Sequence, residues 1–225
     1  STTAVQALLT AAGVNSVATN GLTLRFPAGR FKISSTLLSD LARGVQIRGA
    51  GRSATFILPT AAMAGLPVFK MQDFYHCSIE GMTVQGVSGS EPSAVIQSHR
   101  ERNNGVAPGM ICQKLHVDDL EAFVVQRAIH WTCSNPAADG NNDQATISRV
   151  YVHSFTVAAY DITHLNSVWH RFIGGEIIGG PIAWRMAGGS FTASDVVLAA
   201  LTDVEVDVTP GTYIHPTLLK GIGHE

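Results

Sequence analysis

Residues 22–58 read LTLRFPAGRFKISSTLLSDLARGVQIRGAGRSATFIL, and the pattern inside that stretch decides the fold. Leu22, Leu24 and Phe26 alternate with polar residues before Pro27-Ala28-Gly29, and Phe31 and Ile33 alternate after it. Successive side chains of a strand point to opposite faces, so this is two strands around a bend. Val45 and Ile47, the corner Gly49-Ala50-Gly51, and then Phe56 and Leu58 repeat the arrangement. Upstream, residues 2–12 place Val5, Leu8, Leu9 and Ala12 at helical spacing, with Thr2 or Thr3 as caps and Gly13 as a stop.

A short helix, then FPAGRFKIS, then GVQIRGAGR, resembles the opening of the pectate-lyase-like superfamily, which includes phage tailspikes and polysaccharide depolymerases. The matching residues are 4–12, 22–34 and 44–58. The resemblance implies an all-β, right-handed parallel β-helix, a solenoid with a short N-terminal capping helix. The expected organisation is a capping helix over 1–13, the β-helix over 14–208 and an extended tail over 209–225. The Gly/Asp-rich stretch such proteins carry before the helix is absent, so the chain is expected to open inside its domain.

A solenoid brings similar side chains back at each turn. Segments beginning at Ile79 (IEGMTVQ), Cys112 (CQKLHVD), Ile147 (ISRVYVH), Phe172 (FIGGEII) and Phe191 (FTASDVV) align with apolar residues at relative positions 1, 4 and 6. Inward residues are then Ile79, Met82 and Val84; Cys112, Leu115 and Val117; and Ile147, Val150 and Val152. The fourth and fifth segments weaken at Gly175 and Ser194. Residues 87–109 and 134–144 have loop composition and read as insertions, while AAYDITH, PIAWRM and TDVEVDV read as second strands of later turns. From periodicity alone, short alternating strands bounded by Gly also fit a β-sandwich.

Composition narrows the function classes. Glycine is 22 of 225 residues and charged residues 14%, which suits tightly stacked strands. With a net charge of −2 and no run of basic residues, the chain has no source for phosphate-driven nucleic-acid binding. No segment approaches the ~18 consecutive apolar residues of a membrane helix. Cys77, Cys112 and Cys133 lack metal-ligand spacing and read as buried thiols. The Gly49-Ala50-Gly51 corner is an incomplete nucleotide-binding motif. No cofactor or metal is expected.

Outward positions of this alignment form two neighbouring columns. Position 5 gives Thr83, His116, Tyr151, Glu176 and Asp195, and position 7 gives Gln85, Asp118, His153, Ile178 and Val197. Two chemistries fit the candidate catalytic residues Glu176, Asp118, Asp195, His116, Tyr151 and His153. Glycoside hydrolysis needs two carboxyl groups flanking the bond, for which Glu176, Asp118 and Asp195 are available. A lyase needs a base such as His116, Tyr151 or His153, and a cation such as Lys114, Arg149 or Arg171 to neutralise a uronate carboxylate. Trp169 and Trp184 could pack against sugar rings. The plain alternative is that outward residues of any solenoid are polar and that tryptophans fill cores.

Resemblance to tailspikes implies a polysaccharide partner, hydrolysis ahead of β-elimination, a homotrimer, and a virion or extracellular location. It implies neither nucleic-acid binding nor membrane insertion. A noncatalytic carbohydrate-binding or purely structural fibre module has the same fold and stays open. Asp203, Glu205 and Asp207 alternate with valines and read as a solvated edge or, less simply, as ligands for a hard cation.

Overall fold

The structure, a computed structural model, describes residues 3–10, 21–101, 112–134, 142–164, 167–209 and 218–224. Residues 3–10 are helical, and every pairing between strands that follows is parallel. Parallel neighbours need a crossover for each step, which the chain makes by winding onward; a β-sandwich of hairpins is thereby excluded.

The first sheet stacks Leu22–Arg25, Val45–Arg48, Ser78–Gln85, His116–Val125, Thr146–Phe155, His170–Ile178, Phe191–Ser194 and Leu218–Lys220 in chain order. The second stacks Leu37–Asp40, Pro67–Gln72, Ala94–Arg100, Ile129–Cys133, Tyr160–Ile162, Ile182–Met186 and Val204–Val208. A short pair, Cys112–Gln113 with Asn142–Asp143, forms a third side. The second strands expected near residues 160, 182 and 204 are present. Two expectations change. Residues 87–109 contain the strand Ala94–Arg100, whose polar Gln97 and His99 alternate with buried Ile96 and Ser98 and so mask it as loop. The C-terminal segment expected to leave the solenoid instead returns to it, with Leu218–Lys220 on Phe191–Ser194 and Gly223–His224 on Val197–Ala199.

Register also corrects the repeat. Val117 lies beside Ile79 and Ile147, and Ala193 beside Phe172. The second segment therefore begins at Val117 (VDDLEAF) and the fifth at Ala193. Cys112, Leu115 and Val117 are all buried, as expected, but Cys112 and Leu115 belong to the third side and to the corner preceding the rung. Early in the chain Ile57, rather than Phe56 and Leu58, faces the core.

Each long first-sheet strand bends at its third repeat position, occupied by Gly81, Asp119, Arg149, Gly174, Asp195 and Gly221, all with positive φ. Left-handed backbone suits glycine and costs other residues about 1–2 kcal/mol each, so rung stacking must hold Asp119, Arg149 and Asp195 there. One position further, Gly175 has φ +95, and a Cβ on it would lie 2.2 Å from the Val150 carbonyl oxygen. This gap in the apolar repeat is a requirement of close rung approach. Inside, Trp184 packs on Phe191 (5.4 Å), Phe172 (5.9 Å) and Tyr160 (6.1 Å), giving the later turns an aromatic core. No helix among the described residues is long and apolar enough to cross a membrane.

Candidate substrate-binding groove

A second column of left-handed residues marks the corner leading into the first sheet: His76, Lys114, Gln144 and Trp169. Each is the third residue before the first inward position of its rung, Ile79, Val117, Ile147 and Phe172. A left-handed residue turns the chain sharply, and here it leaves His76, Lys114 and Trp169 exposed. Two residues on, the rungs present His116, Thr146 and Arg171 as direct neighbours. Adjacent strands lie about 4.8 Å apart, so His116 and Arg171 are roughly 10 Å apart along the column.

Together the two columns line an open groove of about 470 Å³. Among the described residues its lining carries Lys114, Arg171 and two imidazoles, and no carboxylate. Lys114 Nζ donates to the Tyr75 hydroxyl at 3.0 Å. Trp169 is 66% exposed, a large apolar plane held at the rim. An overall acidic chain thus has a locally basic groove, suited to an anion with an apolar face.

Beyond the bend, Glu121, Tyr151 and Glu176 stand on successive rungs in one column. Thr83 Oγ1 lies 2.9 Å from Glu121 Oε2, and the Arg52 guanidinium sits 3.7 Å above the Tyr151 ring. Asp118 is bound by both Nε (2.9 Å) and Nη2 of Arg149 and by the Ser148 hydroxyl (2.8 Å). These contacts, Arg149 first, hold its carboxyl below the usual range. Asp118 is thus fixed as an anion.

The residues singled out from sequence therefore separate. His116, Trp169 and Arg171 join in the groove. Tyr151 and Glu176 share the neighbouring column, where Val197 also belongs. His153 is stacked on Phe123 at 4.7 Å further along the same arm. Arg149 is committed to Asp118, and Asp195 sits exposed at the bend. Trp184 is fully buried, which removes it from substrate contact. His76, Gln144 and Tyr75 escaped the sequence reading, although the constant offset of the corner residues reveals them once the second repeat begins at Val117.

His170, Cys77 and Cys112 are structural. His170 is wholly buried, with Nδ1 accepting from the Ala145 N–H at 3.2 Å and Nε2 2.7 Å from Ser167 Oγ. Ser167 in turn donates to the Asn142 carbonyl, so the pair is a closed core network. Burial pushes the Cys77 and Cys112 thiols up to about 12, which leaves them protonated. Among the described residues no group of three or more His, Cys, Asp or Glu side chains is placed to hold a metal ion.

The chain is a right-handed parallel β-helix. The catalytic domain of a GH87 α-1,3-glucanase, as a single-residue variant in complex with nigerose, matches at TM-score 0.56 and 12% identity over 90% of this chain. Another variant of it matches at TM-score 0.56 and 15% identity over 98% of this chain. This chain spans 40% and 43% of their lengths. The A-module of the Azotobacter vinelandii mannuronan C-5 epimerase matches at TM-score 0.44 and 13% identity, over 89% of this chain and 71% of that one. No family model matches the chain, and no curated protein matches it by sequence. At these identities the likeness concerns the fold.

Proposed function

We propose that the chain binds an acidic polysaccharide along this groove and cleaves it by β-elimination, as a homotrimeric, tailspike-like module of a virion or the extracellular space. One observation carries the reading: a groove whose described lining is basic and free of carboxylates, rimmed by an exposed tryptophan. Nigerose in the complexes of the glucanase neighbours supports a carbohydrate ligand.

Elimination requires a base for the proton α to a uronate carboxylate and a cation to stabilise the charge that develops there. Arg171 and Lys114 supply the cations, and His116 is the base. As the C–H bond breaks, its electron pair forms the C=C bond and the glycosidic C–O bond breaks; the leaving oxygen takes a proton from Tyr75, which Lys114 positions.

Hydrolysis fits these residues less well, because one carboxyl must stay protonated as the acid. Asp118 is an ion-paired anion, and Glu121 and Glu176 have Tyr151 between them.

Titration calorimetry with polygalacturonate and a neutral glucan tests the ligand class. Binding to the polyuronate is expected to weaken steeply with added salt, and Arg171→Ala and Trp169→Ala are each expected to weaken it about tenfold. Equal affinity for the neutral glucan would contradict the proposal.

A further inference from the structure

On the outer face of the second sheet, away from the groove, lies a cluster that the proposed elimination does not use. His99 and Thr132 are direct neighbours on adjacent rungs, within Ala94–Arg100 and Ile129–Cys133. His99 Nδ1 is 2.7 Å from Thr132 Oγ1, and His99 Nε2 is 2.8 Å from Glu101 Oε2. Ser134 Oγ donates to the same Glu101 oxygen at 2.7 Å. An ionised Glu101 can only accept, so Nε2 carries the imidazole proton and Nδ1 presents a lone pair to the Thr132 hydroxyl. Burial lowers the His99 pKa below its ordinary value, and Ser134 and His99 lower that of Glu101, which fits a neutral imidazole beside a carboxylate. Gln97 Nε2 reaches Thr132 Oγ1 at 3.2 Å.

Nucleophile, base and orienting carboxylate are therefore in hydrogen-bonded sequence, with a side-chain amide donor beside the nucleophile. Thr132 is half-buried, while Glu101 and Ser134 are exposed, so the cluster opens to the surface.

We propose that Thr132, His99 and Glu101 form a second active site that hydrolyses O-acyl esters carried on a sugar chain. Thr132 Oγ bonds to the ester carbonyl carbon as its proton passes to His99 Nδ1, and Gln97 donates to the developing oxyanion. Collapse breaks the bond between that carbon and the sugar oxygen, which leaves with the proton from His99. Water, deprotonated by His99, then attacks the acyl-threonine, releasing the acid and restoring Thr132. Ester and water are consumed; alcohol and carboxylic acid are formed. The site stands on geometry separate from the groove.

The probes are 4-nitrophenyl acetate, chemically O-acetylated polygalacturonate and diisopropyl fluorophosphate, used on the full chain. Acetate release is expected, with a loss of about 100-fold or more in His99→Gln and an equal or larger one in Thr132→Val. A phosphoryl adduct on the Thr132 peptide should persist in Thr132→Ser and vanish in Thr132→Val, with polygalacturonate affinity unchanged in both. Acetate release undiminished in Thr132→Val, or an absence of both release and adduct in the wild-type chain, would overturn the assignment.

Discussion

Replacing Asp161 with Asn is expected to cost about 3–5 kcal/mol of stability, the range for breaking a buried ion pair by removing one partner. Asp161 is 1% exposed although it points outward from the second sheet. Arg127 Nε reaches it at 2.6 Å and Arg185 Nη2 at 2.8 Å, from the chain preceding one neighbouring strand and from the other neighbouring strand. Arg127 also donates to the Ser93 carbonyl at 3.2 Å, so the cluster ties four successive turns together. An amide keeps the size of the side chain but leaves two guanidinium groups facing each other without an anion. Urea unfolding checks this: the midpoint should fall with an unchanged denaturant slope. A loss below about 1 kcal/mol would mean that water reaches the cluster and screens it.

Acid should weaken the fold by a comparable amount through two histidines. Burial lowers the His170 pKa to about 3 and that of His130 to about 4. Arg127 and Arg185 push His130 down further, against the opposing pull of Asp161. An unfolded histidine titrates near 6.5, so between that pH and the folded values the unfolded chain binds more protons than the folded one. Stability then rises with pH. The contribution is complete above about pH 6.5 and is lost progressively on acidification toward pH 4 for His130 and pH 3 for His170. Each pKa unit corresponds to about 1.4 kcal/mol, so the sum amounts to several kcal/mol. Urea midpoints measured from pH 7 to pH 4.5 should decline steadily, and less steeply in His130→Gln. A flat profile would contradict the burial of both rings.

The solenoid was legible because its repeat is chemical as well as periodic. Val45 and Ile47, then Ile79, Met82 and Val84, and then Ile147, Val150 and Val152 all turn inward as their spacing predicts. One rung is ambiguous in phase for a physical reason. Cys112, Leu115 and Val117 have the same apolar spacing as Val117, Leu120 and Ala122, and all five are buried. Val117 serves both readings. Only cross-rung pairing separates a residue of the corner from a residue of the strand.

The make-up of the candidate site depends on that phase. The shifted alignment set His116 beside Tyr151, whereas the pairing sets it beside Thr146, with Glu121 taking the place next to Tyr151. The groove depends on corners whose left-handed backbone falls on Lys114 and Trp169, residue types that give no turn signal. Trp169 and Trp184 could not be told apart by type either. Trp184 follows the inward parity of its strand, with Ile182 and Met186, while Trp169 sits at a corner where that parity breaks down.

The most direct test of the basic groove as a lyase site is the ultraviolet absorbance of a polygalacturonate or alginate solution incubated with the purified chain. A rise from unsaturated uronate ends, abolished in His116→Ala and Arg171→Ala, is expected. New reducing ends without that rise, retained in both variants, would contradict it and move the chemistry to the carboxylates beyond the bend.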